Sequence, residues 1–240
     1  MKSESYFLPD DYLANPAVSF DHNEGIYWDQ ARFDNSLSYQ AAAYDWALSL
    51  VRQRNLKSIA DVGCGSAAKL ARLHRAIPAV ETWGLDQPNA IDLCRSHYSF
   101  GQWFPINLDM PASLPEKTFD IIVSSDVIEH LENPDRLLDA IRRMSHPETL
   151  VLISTPERLC LRGNDCLSSP NPYHVREWSR SEFASYLVSR GVEVLDHKML
   201  PAFNALHSGT FLLRALRRWL CFKSISYNQV VLIRFAAGSG

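Results

Sequence analysis

Long apolar runs are missing from this 240-residue chain. No window reaches the roughly 18–20 apolar residues that a bilayer-spanning helix needs, so no transmembrane segment is expected. Met1-Lys2-Ser3-Glu4-Ser5 carries acid and leads into no apolar stretch of the signal-peptide kind. Cysteine is sparse: Cys64, Cys94, Cys160, Cys166 and Cys221 are scattered, with no Cys-x-x-Cys pair. That spacing argues against a zinc ribbon or a disulfide scaffold and suits a reducing compartment, with the cysteines as small core hydrophobes and the cytoplasm as the expected home. A basic surplus is also missing. Lys and Arg number 24 against 27 Asp and Glu, a net charge of −3, so nucleic acid is not the expected partner. Low-complexity stretches, linkers and internal repeats are absent. With 46% apolar and 21% charged residues, the chain reads as one large globular domain.

What is present falls into two textures. The first 36 residues are aromatic and turn-rich (Tyr6, Phe7, Tyr12, Phe20, Tyr27, Trp28, Phe33, with Pro9 and Pro16), hold no period, and read as an N-terminal cap or lid. Residues 37–240 read as the main domain. A helix is expected from Leu37 to Gln53, and from Ser58 onward strand, turn and helix alternate. Strands are expected at 58–62, 80–85, 102–107, 119–124 and 150–154, near 192–196, and last at 229–235. Alternation of this kind implies parallel strands with right-handed crossovers, helices on both faces, and ligands outside the carboxyl ends of the strands. Two segments, 155–178 and 199–228, interrupt the pattern and read as insertions on the substrate side.

Asp61-Val62-Gly63-Cys64-Gly65-Ser66-Ala67 lies where the first strand runs into the first crossover helix. Gly63 and Gly65 permit a sharp turn and close approach of a ligand to the backbone. The third glycine of a dinucleotide fingerprint is missing, since Ala67-Ala68-Lys69-Leu70 follows. Asp86 ends the second strand, placed for two ribose hydroxyls, and Asp109 ends the third, placed for an exocyclic amine. Together with Gly84-Leu85-Asp86, Asn107-Leu108-Asp109 and Phe119-Asp120-Ile121-Ile122, this motif resembles the class I S-adenosylmethionine-dependent methyltransferases from about Ser58 to Asp196. The resemblance implies a doubly wound, Rossmann-like α/β domain with a seven-stranded, mostly parallel sheet whose last strand is antiparallel. It also implies S-adenosylmethionine held by Asp61, Gly63, Gly65, Asp86, Gln87, Asp109, Met110 and Ser125. The glycines would face its amino-acid end, Asp86 its ribose and Asp109 its adenine. Ala67 stands where many members carry another glycine.

The fourth strand runs into Ser125-Asp126-Val127-Ile128-Glu129-His130. On a helical turn, residues 126, 129 and 130 share one face. His130 is then a candidate general base for a substrate hydroxyl, or the group ligates Mg²⁺ or Mn²⁺, or Glu129 and His130 merely bond the loop. Asp-x-x-Glu-His followed by His174-Val175-Arg176-Glu177-Trp178 is similar to the methyltransferases of small-RNA 3′ ends and to the ubiquinone-pathway O-methyltransferases, both metal-using. That likeness implies Asp126, Glu129, His130 and His174 as ligands, with Glu129, His130 and His174 carrying the catalysis. Asp126 has a shorter reach than the glutamate usual at its position. Tyr27, Trp28 and Arg32 are candidates for a lid. Phe211 to Leu220, with Arg214, Arg217 and Arg218, reads as a basic amphipathic helix facing a phosphate, a membrane surface or solvent. The expected activity is O-methylation of a small molecule, a sugar or secondary metabolite. A metal-dependent RNA 2′-O-methyltransferase is the rival, and a cofactor-binding module without chemistry is a third reading.

Overall fold

The computed structural model describes residues 6–18, 40–110, 113–201 and 227–236. Seven strands form one sheet: β1 (Ser58–Val62), β2 (Glu81–Asp86), β3 (Gln102–Pro105), β4 (Phe119–Ser125), β5 (Ser145–Pro156), β6 (Val192–Pro201) and β7 (Tyr227–Phe235). Their order is β3-β2-β1-β4-β5-β7-β6. The pairs β1/β2, β1/β4, β2/β3 and β4/β5 are parallel, whereas β7 runs antiparallel to both β5 and β6. Strand order reverses between β1 and β4, so their carboxyl ends frame the crevice where such sheets hold ligands.

Six α-helices are described: α1 (Ala41–Arg54), α2 (Ala68–Ala76), α3 (Pro88–His97), α4 (Asp135–Arg143), α5 (Arg158–Arg162) and α6 (Arg180–Ser189). The two-residue period of the strands splits their apolar runs between two cores. Ile59, Ile121, Val123 and Leu152 face α1, α2 and α3 through Tyr44, Leu70 and Ile91. Ala60, Val62, Ile122 and Val151 face α4 and α6 through Leu137, Ile141 and Phe183.

Boundaries differ from expectation where tertiary pairing overrides local pattern. The edge strand β3 stops at Pro105, before the expected Asn107, although Ile106 N–H still reaches Asp86 O at 2.8 Å. β5 is much longer than 150–154: at its start Ser145 pairs with Phe119 of β4 ahead of a register shift, and at its end β7 pairs with it as far as Pro156. Insertion 155–178 contains α5, capped by Glu157, whose carboxylate accepts from Cys160 N–H at 2.6 Å. Cys64 and Cys94 are core residues, but Cys160 is exposed and Cys166 half-buried, so the expectation of five core cysteines fails for those two. Cys221, the expected helix start at 37–39, the lid residues Tyr27, Trp28 and Arg32, and the basic stretch 211–220 lie outside the described residues. Among the described residues, no helix is long and apolar enough to cross a membrane.

Residues 6–18 lie across insertion 155–178. Leu13 N–H donates to Leu167 O (2.7 Å), Asn15 N–H to Val175 O (2.9 Å), and Trp178 Nε1–H to Tyr6 O (2.9 Å).

Candidate active site

At the end of β1, Gly63 and Gly65 take left-handed φ angles of 81° and 55°. Gly63 N–H donates to Leu85 O at 2.7 Å, tying the turn to β2. A Cβ on Gly63 would sit 2.2 Å from Val127 Cγ2, so no side chain fits there. Gly65 N–H donates to Asp86 Oδ2 and Gln87 N–H to Asp86 Oδ1, both at 2.7 Å. Burial raises the pKa of Asp86, and these two backbone donors oppose the rise. Each oxygen keeps a second lone pair for a ligand. Ala67 holds φ 52° at the N-cap of α2, which gives the physical reason for a glycine at that position in related chains.

A cavity of about 380 Å³ opens here, within the usual size range of ligand pockets. Gly63, Gly65, Asp86, Gln87, Asp109 and Ser125 line it. Asp126, His130 and His174 line it too. Asp61 and Met110 do not line it. Asp61 is fully buried behind the turn; its Oδ2 accepts from Tyr44 O–H at 2.8 Å, its Oδ1 has no partner among the described residues, and burial pushes its pKa up to about 7. Met110 is 62% exposed. Asp109 does not end a strand as expected. It lies four residues past β3 in an exposed turn, where its N–H donates to Asn107 Oδ1 at 2.8 Å.

The turn after β4 departs from the helical expectation. Asp126 adopts φ 54°, and a three-residue 3₁₀ turn, Ile128–His130, follows. The i, i+3, i+4 face therefore never forms. Asp126 instead accepts from Ser154 Oγ–H (2.9 Å), from Asn228 Nδ2–H (2.7 and 2.9 Å to its two oxygens) and from Gln40 Nε2–H. Of the four expected ligands it is the one that stands apart. Glu129, His130 and His174 do converge, with one potential ligand atom each and all three within 4.8 Å of one another.

Glu129 is fully buried: Thr155 Oγ1–H donates to its Oε2 at 3.0 Å, and its Oε1 has no hydrogen-bond partner among the described residues. Burial, reinforced by the nearby Asp126 charge, pushes its pKa well above the usual carboxylate range. His130 Nδ1 lies 2.8 Å from Tyr173 O; a carbonyl only accepts, so Nδ1 carries the proton. Burial, then the neighbouring His174, lowers the His130 pKa to about 4. The two imidazoles meet edge to face with centroids 4.8 Å apart. His174 Nδ1 lies 2.7 Å from Oε1 of Glu177. Burial works against ionising Glu177, but hydrogen bonds from His174, Arg162 and Ser169 prevail and hold its pKa at about 2.

Residues 36–197 match the family model described as "Methyltransferase domain". The chain belongs to the class I S-adenosylmethionine-dependent methyltransferases. The matched span contains Gly63, Gly65, Asp86 and the Glu129–His130–His174 cluster. A probable S-adenosylmethionine-dependent methyltransferase of Mycobacterium tuberculosis is 30% identical over 140 residues, covering 56% of this chain and 48% of that protein. A mitochondrial ubiquinone biosynthesis O-methyltransferase of Schizosaccharomyces pombe is 29% identical over 128 residues, covering 49% of this chain and 45% of that protein. The methyltransferase thus spans about half the length of these curated relatives. The plantazolicin methyltransferase BpumL, solved in complex with SAH, shares the fold, with a TM-score of 0.55 at 19% identity and 86% coverage of both chains.

Four residues position the site without having been assigned a role from the sequence: Asn15, Gln40, Glu177 and Asn228. Asn15 donates from Nδ2 to Ser169 O (3.0 Å), Asn171 O (3.1 Å) and His174 O (3.0 Å), fixing the loop that carries His174. Gln40 bridges Asp126 and Lys69, whose Nζ donates to Gln40 Oε1 at 3.0 Å. Asn228 anchors Asp126 from β7. Glu177 had a local signal, its i, i+3 spacing from His174. The other three act from more than 80 residues away in sequence and leave no local pattern.

Proposed function

We propose that this methyltransferase transfers the methyl group of S-adenosylmethionine to a hydroxyl oxygen of a small molecule, with His130 at the reacting end of the site. One observation carries the reading: a single cavity joins the Gly63–Gly65–Asp86 cradle to His130 and His174. In this reading Gly63 and Gly65 hold the amino-acid end of the cofactor, with Asp61 behind them. Asp86 and Gln87 hold the ribose and Asp109 the adenine, with Ser125 lining the same cavity. The cradle fits that assignment, because Gly63 and Gly65 line it without side chains and Asp86 keeps lone pairs for two hydroxyls. When bound, the cofactor supplies a methyl group on a cationic sulfonium. The protein's own contribution is alignment and electrostatics. An oxygen acceptor is further supported by the likeness to the Schizosaccharomyces pombe O-methyltransferase.

A second reading of the cluster, as a divalent-cation site, is favoured by the buried Glu129 Oε1, without a partner among the described residues, and by the Nδ1 contacts behind both histidines. With Asp126 engaged elsewhere, the donor set is two imidazoles and one carboxylate, which suits Mn²⁺ better than Mg²⁺. A cation held there would lower the pKa of a hydroxyl bound to it. His130 with a pKa near 4 is a weak base by itself, which adds weight to this version.

The test combines binding and turnover. Asp86→Ala should weaken S-adenosylhomocysteine binding, measured by calorimetry, by about 2–4 kcal/mol; unchanged affinity rejects the cradle. Methyl transfer to a panel of sugars and phenols should disappear in His130→Ala. Loss on chelation with recovery in Mn²⁺ selects the metal version, whereas activity that survives chelation selects His130 as base. Full activity in His130→Ala rejects both.

A further inference from the structure

Glu177 touches neither the cavity nor the acceptor position, yet its side chain is fully buried and accepts at least four hydrogen bonds. Arg162 donates twice, from Nε to Oε2 at 3.1 Å and from a terminal nitrogen to Oε1 at 3.0 Å. Ser169 Oγ–H donates to Oε1 at 2.8 Å. The remaining contact is His174 Nδ1, 2.7 Å from Oε1. A carboxylate facing a guanidinium can only accept, so the proton of this contact sits on His174 Nδ1. The backbone is fixed as well, since Glu177 N–H donates to Tyr12 O–H oxygen at 2.9 Å.

We infer that Glu177 is a positioning residue: its carboxylate locks His174 in the Nδ1–H tautomer, so that Nε2 is the nitrogen the ring offers toward Glu129 and His130. The inference rests on the proposed role of that cluster. Its neighbour His130 is locked into the same tautomer by a different device, the Tyr173 carbonyl. The two rings thus present Nε2 by independent means, one charged and one neutral. Arg162 is 28% exposed and bonds Glu177 from outside the cluster, keeping the carboxylate in place. The arrangement follows the general rule that a carboxylate or carbonyl behind an imidazole fixes its tautomer and orientation.

Long-range ¹H–¹⁵N correlation spectra of the histidine rings test this directly. In the native protein both His130 and His174 should appear as Nδ1–H tautomers. In Glu177→Gln, which keeps shape but removes the charge, His174 should lose its single tautomer while His130 keeps it. A structural defect alone would disturb both rings. Mn²⁺ affinity should fall about 10–100-fold in the same variant. His174 found as the Nε2–H tautomer in the native protein overturns the inference with no variant needed. So does an unchanged His174 tautomer in Glu177→Gln. If native protein binds no Mn²⁺, the cation version of the site fails, while the spectra still decide the role of Glu177.

Discussion

Asp61 shows what burial does to a single residue. It sits at the end of β1 with no solvent exposure, one oxygen bonded to Tyr44 and the other without a partner among the described residues. Its pKa stands at about 7 in the folded chain against 3.8 for the ordinary side chain. Between those values the folded state holds a proton that the unfolded chain has released, so stability falls as pH rises from about 4 to 7. Asparagine accepts the same Tyr44 bond and carries no charge. Asp61→Asn should therefore abolish that slope, gaining up to about 4 kcal/mol over the wild type above pH 7. Denaturant unfolding of the cofactor-free protein at pH 4 and pH 7.5 measures it; equal slopes in the two proteins would show that Asp61 titrates normally.

At the scale of elements, the loop before α6 owes its shape to distant chain. Its end is locally specified: Ser179 and Glu182 form a capping box, with Glu182 Oε2 accepting Ser179 N–H at 2.7 Å. Its middle is held by Asn15, whose amide satisfies three carbonyls between residues 169 and 174. Asn15→Ala leaves those carbonyls to find other donors and should cost about 1–3 kcal/mol. Hydrogen exchange should accelerate at residues 171–176 and remain unchanged in β1 and β4. Uniform acceleration would mean that Asn15 supports the whole domain rather than this loop.

Across the whole molecule, charge discriminates between acceptors. A net charge of −3 gives no general attraction to phosphate backbones, and the site as proposed holds a small molecule. Binding to single-stranded RNA should be weak at 50 mM salt and lost by 200 mM, with no methylation of oligonucleotides. Fluorescence anisotropy across that salt range checks the first part and a labelled-methyl assay the second. Salt-resistant binding would promote the RNA 2′-hydroxyl as acceptor.

The α/β alternation, the glycine turn and Asp86 were legible in the chain itself, because each depends on neighbours within about one strand–turn–helix unit, whereas the antiparallel last strand came only from the family resemblance, its partners β5 and β6 lying far away in sequence. Short, nearly continuous apolar runs such as Phe119 to Val123 announce a strand buried on both faces, and Gly63 marks a left-handed turn that only glycine tolerates beside Val127. The make-up of the chemical cluster was legible only in part. Glu129 and His130 were named from spacing and His174 from the family likeness, but spacing also recruited Asp126, on the assumption of a helical turn. Tertiary structure decided otherwise, since donors from α1's N-cap, β5 and β7 hold Asp126 in a left-handed conformation away from the other three. Hydrogen-bond partners 28 to 102 residues away set that outcome. Local periodicity reports which face a residue takes within its own element; which donor reaches a carboxylate across elements is settled only when the sheet has assembled.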